Sequence, residues 1–66
     1  MSTTEKLKQE IKKHLTKCDQ NGYPNICKTV QTRAGYARIE AQIIEIAIRD
    51  NVGILGAMNI IESDLL

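Results

Sequence analysis

The run from Thr32 to Asp50 constrains this chain more than any other, because it is the only segment both long enough and apolar enough to carry a core. Within it Arg38, Gln42, Glu45 and Arg49 recur at steps of four, three and four, one polar line down a helix of about 3.6 residues per turn. The rest of the circumference is mostly apolar. Tyr36, Ile39, Ile43, Ile46 and Ala47 form one stripe, and Ala37, Ala41, Ile44 and Ile48 form a second beside it. A strand competes for this segment, since Ile44 to Arg49 alternates with period two and isoleucine favours sheets. The unbroken polar line and a correctly oriented Glu45–Arg49 pair decide for the helix.

Shorter helical signals flank this central one. Ser2 followed by Glu5 reads as a capping box, and Leu7, Ile11, Leu15 and Cys18, with His14 beside them, recur at helical spacing. A first helix from about Thr3 to Lys17 is expected, with a narrow apolar seam and a basic back. Asp19-Gln20-Asn21-Gly22 closes it and Pro24 forbids its continuation, with Tyr23 and Pro24 packing over the turn. Pro24 also suits the first turn of a short helix reaching about Gln31, with Ile26 and Val30 as its apolar pair.

Thr32 is the expected N-cap of the central helix, and Asp50-Asn51 ends it. Gly53 opens a last helix whose Ile54, Met58, Ile61 and Leu65 share a face. That face is widened by Leu55, Ala57 and Ile60, and Asn59, Glu62, Ser63 and Asp64 point outward. Gly56, inside this helix, would let another backbone come close. The predicted fold is therefore all-α, a compact bundle of three to four helices in one domain, residues 1–66, completed by self-association.

Self-association follows from size. A chain of 66 residues buries only about 60% of the surface its unfolded form exposes, and this one has no Phe or Trp. Its core must be built from ten isoleucines and a few smaller residues. A helix apolar over two stripes exceeds what its short neighbours can cover. The expected oligomer interface comprises Ile39, Ile43, Ile44, Ile48, Ile54, Met58, Ile61 and Leu65.

The net charge of +1 conceals an asymmetry: residues 1–33 carry seven Lys or Arg against three acids, and residues 34–66 carry two against five. The plain reading is two charged faces that hold neighbouring helices or copies in register; the sharper one is a basic half that meets a polyanion. No apolar run approaches the roughly 18 residues of a membrane span, and the amino end lacks the apolar region of a secretory signal. The expectation is a cytoplasmic protein that does not engage a membrane and keeps Cys18 and Cys27 reduced, although their spacing would permit a bridge in an oxidising compartment.

Three constellations could carry chemistry. His14, Cys18 and Cys27 could converge as soft ligands, but a structural zinc site needs four, and Asp19 is a poor fourth. As a nucleophile pair, cysteine and histidine here lack an orienting third group. No metal, cofactor or catalytic residue is expected. The amino end of the central helix is more informative: its unpaired amides, the small Gly35, and Arg33 and Arg38 could grip a phosphate, with Tyr36 stacking on a base and Lys28 nearby. The ordinary reading of the same residues is a Thr32 cap, Tyr36 in the core seam, Gly35 for close helix packing, and surface arginines. Ala47, Val52, Ala57 and Ile60 partly match a helix-turn-helix, but the helix that would enter DNA has no Lys or Arg for phosphates.

The sequence thus favours a small non-catalytic protein-interaction module, an adaptor or inhibitor acting as a homo-oligomer on a protein partner. The alternative is a binder or sequesterer of a small anionic ligand such as a nucleotide, held by Thr32, Arg33, Gly35, Tyr36, Arg38 and Lys28. A third reading, less favoured, is a nucleic-acid accessory protein working through Lys6, Lys12, Lys13 and Lys17.

Overall fold

A computed structural model describes residues 3–66. Four helices follow one another: α1 Thr3–Thr16, α2 Pro24–Thr29, α3 Arg33–Arg49 and α4 Ile54–Leu65. The central run is a helix throughout, and among the described residues there is no strand. Ser2, the expected cap of the first helix, lies outside the described residues.

Each boundary has a local cause. Past α1 the chain makes a further turn that closes when the N–H of Tyr23 donates to the carbonyl of Cys18 at 2.9 Å. Gly22 at φ +87 supplies the left-handed step this closure needs. Tyr23 folds over the turn and is buried. Pro24 then opens α2, which stops at Thr29, two residues short of the expected end. Thr32 caps α3 as its sequence predicts: Thr32 Oγ1 accepts from the N–H of Gly35 at 3.0 Å. The carboxyl end of α3 is turned by Asn51, the only non-glycine with positive φ among the described residues.

The core is made by one chain. Ile11, Leu15 and Cys18 of α1 and its closing turn meet Ile26 of α2, Ile39, Ile43 and Ile46 of α3, and Ala57, Met58 and Ile61 of α4. The radius of gyration, 10.8 Å, is what the scaling of about 2.2·N^0.38 gives for a globule of this length, so no segment has to reach outward for its partner. This corrects half of the expected interface. Ile39, Ile43, Met58 and Ile61 are at most 3% exposed within the single chain and cannot meet a second one. The expectation failed because α1, α2 and α4 together cover the first apolar stripe of α3. They leave the second only partly covered: Ala37 and Ala41 are exposed, Ile44 is half-buried against the core, and Ile48 is 64% exposed.

Two further residues depart from their expected roles. Gly56 does give close packing, but what it admits is the Val52 side chain, 3.2 Å from where a Cβ would stand, rather than another backbone. Glu62 does not point outward. Its carboxylate accepts from the N–H of Asn25 (3.1 Å), the side-chain amide of Asn25 (2.7 Å) and the N–H of Ile26 (3.0 Å). Tyr23, at the N-cap position of α2, offers no side-chain cap, so a residue from α4 fills that role across the fold.

Candidate functional site

The amino end of α3 is where the sequence offers a ligand site as the alternative to ordinary packing, and the fold fills it from within. A Cβ built at Gly35 would overlap the carbonyl oxygen of Thr29, so this glycine is small because the end of α2 lies against it. The N–H of Gly35 is taken by Thr32, and that of Tyr36 by the Thr32 carbonyl at 2.9 Å. Tyr36 packs half-buried on the core; burial, and then the nearby Glu40 charge, raise its pKa. It is a seam residue. Arg33 and Lys28 are exposed, and Arg38 points into a different feature, so Thr32, Arg33, Gly35, Tyr36, Arg38 and Lys28 do not converge on one cavity.

That other feature is a groove of about 450 Å³ between α3 and α4. The polar line Arg38, Gln42, Glu45 and Arg49 forms one wall, Asp64 and Leu65 the other, Thr29 one end, and Ile39, Ile46 and Ile61 the floor. Arg49 is engaged by Glu45 at 3.7 Å and by Asp50 at 3.3 Å. Arg38 makes no hydrogen bond or ion pair among the described residues. With two cations and two carboxylates, the groove has no net preference for an anion.

A second cleft, about 500 Å³, lies where α1 ends and is lined by Lys13, His14, Thr16, Lys17 and Asn21. No acid lines it. The Thr16 hydroxyl donates to the Lys12 carbonyl at 2.8 Å, and Lys13 stands 3.9 Å from Glu10, a loose exposed pair. Several carbonyls of the helix end are already taken: His14, Leu15, Lys17 and Cys18 accept from Lys17, Cys18, Asn21 and Tyr23. Lys17 and the Asn21 amide remain as donors. The sequence alone puts Lys13 and Lys17 on the broad basic back of the first helix. Nothing in the helical spacing points to Asn21, which the closing turn brings beside them.

Cys18 and Cys27 are free thiols held together in the core, one buried and one half-buried. Burial, then a hydrogen bond with Cys27, push the Cys18 thiol up to about 12, the opposite of what a nucleophile needs. Among the described residues no three His, Cys, Asp or Glu side chains are placed to hold a metal ion, and no helix is long and apolar enough to cross a membrane. Comparison of the chain with protein-family models, curated proteins and solved structures finds no match.

Proposed function

We infer that the protein is a small non-catalytic interaction module that works as a homo-oligomer, bridging or occluding a protein partner. The observation that carries this is the second stripe of α3. Isolated exposed apolar residues are ordinary, but Ala37, Ala41, Ile44 and Ile48 run consecutively along one flank with no charge among them. The Cys18 thiol is buried and pushed up to about 12, a poor nucleophile, which favours binding over catalysis. Light scattering at micromolar concentration should give a multiple of the 7.4 kDa chain mass, and Ile48→Glu should return it to 7.4 kDa without loss of helicity. A wild-type mass of one chain refutes the reading.

A second reading has its own support in the cleft at the end of α1, lined by two lysines and no acid, which suits a phosphate-bearing ligand better than the filled amino end of α3 does. Nucleoside polyphosphates should raise the melting temperature, and Lys17→Glu should remove the rise. A single-stranded oligonucleotide that raises it further, with steep loss in salt, would assign the phosphate to nucleic acid.

A further inference from the structure

The partly uncovered flank of α3 has an internal symmetry that specifies its occupant. Its small residues, Ala37 and Ala41, stand at one end and its large ones, Ile44 and Ile48, at the other. The four positions are mirror-related about a point between Gln42 and Ile43. Two helices laid antiparallel across that point place each Ile48 over an Ala37 and each Ile44 over an Ala41, so that every projection meets a recess. A parallel pairing would set isoleucine on isoleucine and alanine on alanine, leaving one end of the contact splayed.

Charge agrees with the antiparallel arrangement. A twofold axis between antiparallel helices brings the same flank of each together. The flank beside the stripe, on the polar-line side, holds Arg38 and Glu45. In this register Arg38 lies about 3 Å of axial rise from level with the partner's Glu45, within reach of a guanidinium. Arg38 has no ion-pair or hydrogen-bond partner in its own chain among the described residues. Glu45 holds only an exposed pair with Arg49 at 3.7 Å, which can be shared or exchanged cheaply. On the opposite flank the two Glu40 carboxylates stand about five residues apart along the axes, roughly 7.5 Å, too far for a close clash.

We propose that two copies of this chain join as an antiparallel α3–α3 pair in this register, with reciprocal Arg38–Glu45 bridges along one edge. The proposal rests on the self-association inferred above and adds its geometry. It also fixes the shape of the product. The symmetry axis crosses the middle of α3, so the two α3–α4 grooves, each with Arg38 and Glu45 in its wall, lie on either side of the bridged edge.

Charge exchange between chains tests it. Arg38→Glu alone puts two acids at each bridge and Glu45→Arg alone puts two bases there. Each should weaken the dimer at least about tenfold and leave monomer at micromolar concentration. Mixed in equal amounts, the two variants should form a heterodimer, and the double variant R38E/E45R should dimerise as the wild type does. Because the mixture and the double variant restore binding, a loss in the singles cannot be mistaken for misfolding. Two results overturn the register while leaving self-association standing: a wild-type dimer unaffected by either single change, or single variants whose mixture stays monomeric. A wild-type monomer overturns both.

Discussion

Removing the Glu62 carboxylate should cost this fold more than any other surface-proximal change. It takes three hydrogen bonds at 2.7, 3.0 and 3.1 Å, two of them from the first amides of α2. Bonds to a charged acceptor contribute about 1.5–3 kcal/mol each when fully desolvated, whereas N-cap replacements cost about 0.5–2 kcal/mol in all. Glu62 is only half-buried, so water replaces part of what is lost, and about 2 kcal/mol is the reasoned figure for Glu62→Ala. At about 4–8 °C per kcal/mol for a domain of this size, the melting temperature followed by circular dichroism should fall by roughly 8–16 °C. Glu62→Gln keeps one acceptor but not the charge and should fall about half as far.

Acidity supplies a second readout. Burial, the largest single influence, pushes the Glu62 pKa up. The N–H of Ile26, the side-chain amide of Asn25 and the N–H of Asn25 together outweigh it, so the folded value lies below the usual 4.5. A carboxylate with a depressed folded pKa contributes stability that is complete above its unfolded pKa and is lost as pH falls through the folded one. The melting-temperature gap between wild type and Glu62→Ala should therefore hold steady from neutral pH to about 5.5 and narrow below about 4.5. A variant that melts within about 2 °C of wild type at pH 7, or a gap indifferent to pH, would refute the clamp.

Other substitutions address local claims. Gly35→Ala gains about 1 kcal/mol of helix propensity but forces a methyl into the Thr29 carbonyl, a rigid neighbour; the net should be a loss of about 1–2 kcal/mol, measured by urea unfolding. Gly22→Ala meets open space, so its cost is the left-handed backbone alone, about 1 kcal/mol in the same assay. Thr32→Ala should cost about 1 kcal/mol through the lost cap, with helicity falling most at the start of α3. Thiol titration at neutral pH should leave Cys18 unmodified until denaturant is added, because it is buried and its thiol is pushed up to about 12; prompt labelling in the folded state would contradict its placement.

What could be read from the chain beforehand was the local part. Helix spacing, the Thr32 cap, the Asn21-Gly22 closure and the Glu45–Arg49 pair all act within a turn or two, and the structure carries each of them. What escaped was decided by partners far along the sequence. Glu62 looks like an outward acid on its own helix wheel, and only the arrival of α2 against α4 gives it amides to hold. Gly35 offers the same spacing whether a ligand or the Thr29 carbonyl comes near, and tertiary packing chose the carbonyl. The isoleucines show the limit most plainly. Ten of them announce a core, yet nothing local tells Ile43, buried completely, from Ile48, left in water.

The clamp between Glu62 and the opening amides of α2 spans 36 and 37 positions of chain. A six-residue helix has no independent stability in water, so α2 cannot settle until the last helix is present to receive it. During synthesis α2 must wait, partly formed, for a residue that emerges 36 positions after Ile26. A fragment cut before Glu62 would leave the Tyr23–Thr29 segment frayed, and with it the carbonyl wedge that seats the start of α3.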